Sequence, residues 1–271
     1  MNTASTSTPL LKNKRAVIFG AGGAVGTAVA REFAAQGATV FLSGRRLATI
    51  EQVAVDIQKD GGIAHAAEVD ALDEQAVNAY LDRVVQEVGS IDILLNVMGP
   101  HPNDYGNGTS TMELPLEQFL LLLSTLVPSQ FITARAAARH MVRQQGGVIL
   151  FVTAIPARGT PNATAIGAAF GAMEALLRCL AADLGSASVR VVGIRSGPML
   201  DTRTIQQSFE NTAQTLGVSK AQVVSMFEQG SLLKSSSTVA DTARLAAFLA
   251  SDGARTLTGA IVNASSGRVI D

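Results

Sequence analysis

The stretch AVIFGAGGAVG, residues 16–26, decides the fold of this chain. Its first four residues form a short apolar run typical of a buried strand, and residues 28–37, AVAREFAAQG, are typical of a helix. The turn between them carries four glycines: Gly20, Gly22, Gly23 and Gly26. Glycine permits positive φ and lets backbone N–H groups approach a pyrophosphate at the helix N-terminus. The stretch therefore predicts a dinucleotide-binding unit, with a glycine-rich turn that binds nothing as the alternative.

A second predicted strand, residues 38–42, is followed by Ser43, Gly44, Arg45 and Arg46. In folds that bind NAD, an acidic side chain near this point accepts hydrogen bonds from the adenosine ribose. This chain has no acid there, and its two arginines offer planar guanidinium groups that pair with phosphate oxygens. Arginine at a helix N-terminus opposes the helix dipole, so the pair does not serve the next helix. The pattern favours NADP(H) over NAD(H); the alternative is two solvated arginines.

Strand and helix patterns alternate along most of the chain, as in a parallel sheet that is covered by helices on both faces. Amphipathic stripes predict one helix ended by Gly61 and Gly62 and another ended by Gly89. The predicted strands lie near residues 16–19, 38–42, 63–69, 91–96, 147–152, 189–194 and 260–263. The sequence therefore predicts an α/β fold, a Rossmann-like, doubly wound, parallel seven-stranded sheet in a single domain.

The longest break in this alternation is residues 201–237, which contain Ser219 and Gln222 at the spacing of a capping box. An insertion beyond the carboxyl end of a late strand is well placed to be a mobile substrate lid. Residues 1–14 contain neither a long apolar region nor a charged leader, so we expect a disordered polar tail and a cytoplasmic protein. The dinucleotide-binding domain then spans residues 15–271.

Composition limits the partners of the protein. A chain of 271 residues that is 47% hydrophobic can bury one large core. A formal net charge of -1 without a basic cluster gives no electrostatic footprint for nucleic acid or a membrane, so we expect a small-molecule substrate. Cys179 is the single cysteine, which excludes an intrachain disulfide and agrees with a reducing compartment. No dense group of His, Cys or carboxylate residues predicts a metal site.

Further segments resemble the short-chain dehydrogenase/reductase family over nearly the whole chain. They are VDALD (69–73), DILLNVMG (92–99), RVVGIRSGPM (190–199) and FLASDGARTLTG (248–259). The resemblance implies that Asp70 contacts adenine, that residues 96–99 lie against the cofactor, and that Gly197 frames the nicotinamide. The chain departs from the family's motifs at four positions: Ala24, Val97, Met98 and Ser196.

The glycine turn, the arginine pair and this resemblance together predict one set of cofactor-binding residues. They are Gly20, Gly22, Gly23, Ala24, Val25, Gly26, Ser43, Arg45, Arg46, Asp70, Ala71, Asn96, Val97, Met98, Gly99 and Gly197.

The resemblance also implies a proton donor, a tyrosine followed four residues later by a lysine that lowers the phenol pKa and holds the ribose. Counted backward from LAADLG at 180–185, these two positions are Ile166 and Phe170. The family's catalytic serine falls at Ala154, and its helix asparagine falls at or near Leu126. The sequence therefore predicts an active site without the family's catalytic set.

Three other side chains are candidates to act on the substrate. Thr153, at the end of the fifth strand, could orient a substrate oxygen through one hydrogen bond. His101 in the loop HPNDYGNG has an imidazole that could exchange a proton, and Tyr105 in the same loop has a phenol. The alternatives are a threonine that completes its strand, an exposed histidine, and an aromatic ring that covers the core edge.

The predicted function is an NADP(H)-linked oxidoreductase with a non-standard, mostly apolar active site. A general acid supplies about 10²- to 10⁴-fold in rate, whereas holding the reactants together supplies about 7 to 11 kcal/mol, so hydride transfer survives the loss of the acid. A substrate that is apolar or already activated, such as an iminium, needs no acid. The alternatives are a catalytically inactive protein that serves as cofactor sensor, scaffold or assembly partner, and cofactor-free chemistry in the vacated pocket.

The run FLLLLSTLV, residues 119–127, is apolar on all sides of its helix, and Pro128 is expected to bend or restart that helix. Family members usually pair through this helix and the next, so the resemblance implies a homodimer or homotetramer. The alternative is a helix packed on both sides within one subunit.

Overall fold

Seven parallel strands form the centre of the protein, in the order β3-β2-β1-β4-β5-β6-β7. The computed structural model describes residues 9–271. The strands are β1 (Arg15–Phe19), β2 (Thr39–Gly44), β3 (Ile63–Glu68), β4 (Ile93–Asn96), β5 (Gly147–Ala154), β6 (Val189–Ser196) and β7 (Ile261–Ala264). The order reverses between β1 and β4, which confirms the predicted doubly wound sheet of Rossmann type.

Helices cover both faces of this sheet. Within residues 9–271 they are α1 (Ala24–Ala35), α2 (Leu47–Lys59), α3 (Glu74–Val88), α4 (Leu116–Arg143), α5 (Thr164–Leu184), α6 (Arg203–Leu216), α7 (Lys220–Gln229) and α8 (Val239–Ala250). Of the two helices predicted to end at glycines, α2 ends before Gly61, and α3 ends at Gly89, which adopts the left-handed conformation.

Two apolar cores lie on opposite faces of the sheet. Val17 and Phe19 of β1 belong to the core beneath α3, α4 and α5, whereas Ala16 and Ile18 belong to the core beneath α1, α2 and α8. Successive side chains of a strand point to opposite faces, so a strand that is buried on both sides is apolar throughout. This explains the unbroken apolar run at the start of the glycine stretch.

The segment predicted as a lid forms a helical hairpin, α6 and α7, with a small core of its own around Phe209, Ala213 and Val223. The capping box of Ser219 and Gln222 is confirmed. Because this core is separate from those of the sheet, the hairpin is joined to the domain mainly through its ends and edge contacts.

The prediction of a disordered tail is wrong for the last part of residues 1–14. Leu11 is fully buried, and its amide donates to the carbonyl of Gln36 at 2.9 Å. The amide of Asn13 donates to the carbonyl of Gly37 at 3.1 Å. The buried Leu11 and these backbone hydrogen bonds anchor the turn, and residues 1–8 lie outside the described part of the chain.

Helices α4 and α5 are long and apolar enough to cross a bilayer by length and composition alone. Both pack against one face of the sheet and against each other, as core helices of a soluble fold do. Helix α4 continues through Pro128, so the predicted restart does not occur. Proline removes a single amide donor, and the remaining hydrogen bonds and packing keep the helix whole.

The glycine turn brings three elements into backbone contact. Gly20 has φ of +77°, and a Cβ there would lie 2.6 Å from the amide nitrogen of Met98. A Cβ at Gly26, in the first turn of α1, would collide with the carbonyl oxygen of Gly20. Strand β1, helix α1 and the end of β4 can approach this closely only because both positions are glycine.

Gly26→Ala is therefore expected to lower the free energy of unfolding by about 1 to 3 kcal/mol, the usual cost of overpacking. Gly171→Ala is the matched control, since nothing lies within 4 Å of the added Cβ inside α5. That control should preserve stability or raise it by about 0.5 to 1 kcal/mol. Urea unfolding followed by circular dichroism measures the stability of both variants. Equal midpoints for Gly26→Ala and wild type would contradict the close packing at Gly26.

Candidate functional site

A cavity of about 480 Å³ opens at the carboxyl ends of β1, β2 and β4. It lies where the strand order reverses, which is where doubly wound sheets bind ligands. Many of the predicted cofactor-binding residues line it: Gly20, Gly22, Gly23, Arg45, Arg46, Asp70, Ala71, Val97, Met98 and Gly99. The structure thus brings residues from four separate segments of the chain to one cavity.

One end of this cavity is the start of α1. Gly23 is the N-cap residue, no side chain caps the helix, and its first turn has no acidic residue. Ala24 and Val25, which were predicted to bind the cofactor, form this first turn. The first backbone amides of a helix have no intrahelical acceptor, so they can donate to phosphate oxygens. The residues present therefore fit the pyrophosphate of a dinucleotide.

At the other end, Arg45 and Arg46 are exposed and line the cavity. Neither forms an ion pair within residues 9–271. Asp70 also lines the cavity, with Oδ1 accepting a hydrogen bond from the amide of Leu72 at 3.0 Å. Two guanidinium groups against one carboxylate leave this end positively charged.

Several predicted cofactor residues do not line the cavity. Ser43 is fully buried, and its hydroxyl donates to the carbonyl of Ile18 at 3.3 Å, so the prediction that it contacts the cofactor is corrected. Its own carbonyl accepts from the amide of Gly20 at 2.9 Å and thereby fixes the turn. Gly26 does not line the cavity either. It lets α1 pack closely against the carbonyl of Gly20, which holds the turn in place.

Asn96, at the end of β4, is also buried. Its side-chain amide donates to Thr133 at 3.2 Å, its Oδ1 accepts from the amide of Met98 at 3.0 Å, and its carbonyl accepts from Gln130 at 2.6 Å. Gly197, at the end of β6, packs against Ser265. Asn96 therefore shapes the segment that faces the cavity through its hydrogen bonds to Met98, Gln130 and Thr133.

Thr153 is 1% exposed, and its hydroxyl donates to Oε1 of Glu174 at 3.0 Å. Glu174 also holds Arg195 of β6 through two hydrogen bonds of 2.8 Å. The pKa of Arg195 is raised, and the largest cause is its hydrogen bonding to Glu174. The prediction that Thr153 orients a substrate oxygen is therefore corrected, since this hydroxyl ties β5 to α5. Sequence reasoning missed the partner, which lies 21 residues away.

The loop after β4 places both of its candidates in structural roles. His101 is exposed, and its Nδ1 accepts from the amide of Asn103 at 3.4 Å, which caps the short 3₁₀ helix Pro102–Tyr105. Tyr105 is 5% exposed and packs in the core with Leu126. Burial, with a smaller contribution from Asp104, raises the pKa of Tyr105 to about 12.

The four positions that the resemblance aligned with a catalytic set carry hydrocarbon side chains. Leu126 is buried, and Ile166 and Phe170 are partly buried against the same core. Ala154 ends β5. Phe170 lies one helical turn before Glu174, which is committed to Arg195 and Thr153.

Two hydroxyls near this edge were not anticipated from the sequence. Ser236 and Ser237 have buried Oγ atoms without a hydrogen-bond partner. Ser237 is 8% exposed, and its Oγ lies 3.2 Å from where a Cβ of Gly197 would be. The run of three serines at 235–237, at the end of the lid segment, was the available signal.

A second cavity, of about 630 Å³, lies at the amino ends of the strands, away from the glycine turn. Arg190 in its wall donates to the carbonyls of Leu249 and Ser251 at 2.9 and 3.1 Å, at the end of α8. Burial lowers the pKa of Arg190. Because α8 ends at this edge, the guanidinium of Arg190 serves carbonyls at the helix end. Within residues 9–271, no three His, Cys, Asp or Glu side chains are grouped to hold a metal ion.

Comparison with known proteins places this geometry in a family. The model of a family described as enoyl-(acyl carrier protein) reductase matches residues 20–268. The 7alpha-hydroxysteroid dehydrogenase of Escherichia coli (strain K12) is 30% identical over 260 residues, covering 96% of this chain and 95% of that protein. The meso-2,3-butanediol dehydrogenase of Serratia marcescens is 28% identical over 255 residues, covering 94% of each.

Solved structures agree. A 7 alpha-hydroxysteroid dehydrogenase complexed with NADH and 7-oxo glycochenodeoxycholic acid superposes with a TM-score of 0.83 at 29% identity, covering 97% of each chain. NAD+-bound xylitol dehydrogenase gives a TM-score of 0.87 at 25% identity, covering 93% of this chain and 98% of that one. The protein therefore belongs to the short-chain dehydrogenase/reductase family of nicotinamide-dependent oxidoreductases.

Proposed function

We propose that this protein is an NADP(H)-linked oxidoreductase with a mostly apolar active site that lacks the family's Asn-Ser-Tyr-Lys catalytic set. The observation that carries the choice of cofactor is the exposed pair Arg45 and Arg46 in the wall of the cavity beside Asp70. When bound, NADPH supplies a hydride. Arg45 and Arg46 hold the ribose 2′-phosphate, and the first amides of α1 hold the pyrophosphate.

The proposed chemistry follows from what the site cannot do. Leu126, Ala154, Ile166 and Phe170 carry no proton, and Thr153 is bonded to Glu174. A substrate held here must therefore accept a hydride without receiving a proton from these side chains. Apolar substrates that are already activated, such as an iminium, meet this condition.

Tyr105 does not replace the missing acid in this proposal. Its raised pKa makes the phenol a weaker acid than in water, and its ring is 5% exposed. The catalytically inactive alternative, a cofactor sensor, scaffold or assembly partner, is favoured by the same observation, the hydrocarbon at the family's proton-donor positions.

The hairpin of α6 and α7 is proposed as the substrate lid. Asn107 donates to Ser208 of α6, and Asn211 of α6 donates to Asn103 at 3.0 Å. These bonds join the lid to the loop that carries Tyr105. The hairpin has its own small core and is bonded to this loop by a few polar contacts. It can therefore move as a unit while the rest of the domain stays folded. We also propose that the protein is soluble and cytoplasmic.

NADPH is expected to bind at least about tenfold more tightly than NADH, because each charged hydrogen bond to the 2′-phosphate contributes about 1.5 to 3 kcal/mol. Fluorescence titration measures both affinities. Arg45→Ala/Arg46→Ala should abolish the preference while leaving NADH affinity nearly unchanged. Tighter binding of NADH by the wild type would contradict the choice of cofactor.

Turnover decides between the enzyme and the inactive alternative. NADPH oxidation should be detectable with imines or activated alkenes and slower by about 10²-fold or more with ketones, which need a general acid. Absorbance at 340 nm measures each rate. NADPH binding without oxidation by any acceptor class would favour the sensor or scaffold, and no nucleotide binding would favour cofactor-free chemistry.

Tyr105 is expected to have a pKa of about 12 in the folded protein, against 10.0 for an ordinary phenol. The pKa of Tyr80 is raised further, mainly by burial. A pKa that is raised on folding contributes stability that is full below pH 10 and is lost as the pH rises toward 12. Absorbance at 295 nm in Tyr80→Phe isolates Tyr105, and half-ionisation near pH 10 in the native state would contradict its burial.

Association through α4 and α5 is proposed to give a homodimer or homotetramer. Leu116, Leu120 and Phe131 of α4 are 69%, 45% and 41% exposed, which leaves apolar surface on the helix. Light scattering should give a multiple of 28.1 kDa. The double substitution Leu120→Glu/Phe131→Glu should lower the measured mass toward that of the monomer. A monomeric wild type would rule out the association.

A further inference from the structure

We propose that the second cavity, at the amino ends of the strands, is a binding site for small anions that carry hydroxyl groups. The ligand class is a carboxylated or phosphorylated polyol. Its anionic head would contact the cations of the cavity wall, and its hydroxyls would contact the uncharged and acidic groups beside them. The inference does not rest on the proposed function, because this cavity shares no lining residue with the one at the glycine turn.

The cavity is large enough for such a molecule. Its volume of about 630 Å³ lies within the range of about 300 to 1,000 Å³ that is usual for small-molecule sites. Five segments of the chain form its wall: Lys14 before β1, residues 90–92 before β4, residues 144–148 after α4, residues 185–190 after α5, and residues 250–258 after α8. Most of the side chains that they contribute are polar, which favours a polar ligand.

Cations outnumber carboxylates in this wall, three to two. The five charged side chains are Lys14, Asp92, Arg190, Asp252 and Arg255. One of the two carboxylates, that of Asp92, is already paired at 2.6 Å with Arg15, a cation that does not line the cavity. The wall therefore has a positive balance, which raises the local concentration of anions.

Arg255 is the cation most available to a ligand. It is exposed and forms no ion pair within residues 9–271. Lys14 has one partner, Asp252, at 3.4 Å, and the side chain of Asp252 is 90% exposed, so this pair is weak. A guanidinium presents a planar fork that matches the oxygens of a carboxylate or a phosphate. Arg255 is therefore the residue expected to hold the anionic head.

The ends of α4, α5 and α8 also lie at this cavity, and the partial negative charge of a helix C-terminus opposes an anion. However, carbonyls in the last turn of each helix have donors within the protein. The amide of Gly146 donates to the carbonyl of Met141 at 3.0 Å, and the amide of Gly185 donates to that of Ala181. Arg190 donates to a carbonyl of α8. A cationic ligand would therefore find these acceptors already bonded.

Ser90 and Asp92 explain why the ligand should carry hydroxyl groups. The Oγ of Ser90 is buried and has no hydrogen-bond partner among residues 9–271. Oδ2 of Asp92 accepts from the amide and Nε of Arg15 at 2.7 and 2.6 Å, whereas its Oδ1 accepts no hydrogen bond from the described residues. A hydroxyl group can donate to a carboxylate oxygen and accept from a serine. It would therefore satisfy both atoms, and an unpartnered buried hydroxyl gains most from such a partner.

Isothermal titration calorimetry of the full chain with three matched ligands tests the site. Glucuronate, glucose 6-phosphate and glucose share a sugar ring and differ in carrying a carboxylate, a phosphate or no charge. At least one of the two anions should bind with a dissociation constant of about 1 mM or below, and at least about tenfold more tightly than glucose. The anion that binds identifies the head group. Absence of binding by both anions, or equal binding of glucose, overturns the inference.

Three variants place the binding in this cavity. Arg255→Ala should weaken binding of the anion at least about tenfold, because it removes the charge-assisted contacts. Arg203→Ala is the matched control, since Arg203 is an exposed arginine of α6 without an ion pair within residues 9–271. Both it and Arg45→Ala/Arg46→Ala should keep the wild-type affinity to within about twofold. Wild-type affinity in Arg255→Ala overturns the inference, as does loss of binding in Arg45→Ala/Arg46→Ala, which would assign the anion to the cavity at the glycine turn.

Ser90→Ala distinguishes a ligand contact from a structural role. Because this hydroxyl has no partner in the protein, its removal should leave the urea midpoint unchanged or raise it. The affinity for the anion should nevertheless fall by about threefold or more, since one hydrogen bond to the ligand is lost. An unchanged affinity would refute the contact between the ligand and Ser90, and with it the assignment of a hydroxylated ligand.

Discussion

The backbone contact between the glycine turn and the end of β4 is the constraint on which the rest of the structure depends. Gly20 lies against the peptide of Val97 and Met98, and Gly26 packs on the carbonyl of Gly20. These contacts set the approach of β1, α1 and β4 where the sheet order reverses. Side chains at these glycines would separate the three elements and cover the helix amides together. The fold and the proposed binding of the cofactor therefore depend on the same few atoms, which is why the turn is so informative in the sequence.

Across the reversal point, the protein satisfies its own polar groups. Buried polar atoms must be hydrogen-bonded, and removing one partner of a buried ion pair costs about 3 to 5 kcal/mol. Glu174 and Arg195 are such a pair, with side chains 6% and 4% exposed. Together with Thr153 they join β5, α5 and β6 near the carboxyl ends of these strands. The network stabilises the packing of these elements, and its commitment to this role leaves the edge with few groups for a ligand.

How far the sequence predicts this molecule depends on the distance between interacting residues. The strands, the glycine turn and the capping box of Ser219 are local patterns, and all were predicted. Ser43 and Thr153 were misassigned because the atoms that they bond, on Ile18 and Glu174, lie 25 and 21 residues away. No local pattern shows which way a hydroxyl at a strand end turns. The positions of Arg45 and Arg46 in the cavity wall were predictable because they follow directly from the end of a strand.

The proposed contrast between a positively charged cofactor end and an apolar reaction side bears on the type of substrate. When a hydride adds to a ketone, negative charge develops on the carbonyl oxygen, and hydrocarbon such as Ile166 and Phe170 cannot stabilise it. When a hydride adds to an iminium, the positive charge would pass from the substrate to the nicotinamide, so no new charge is created. Apolar surroundings disfavour the creation of charge, so they raise the barrier for the ketone more than the barrier for the iminium. Hydrocarbon at Ile166 and Phe170 would therefore shift the proposed reaction toward cationic acceptors whose binding is supported by contacts elsewhere on the substrate.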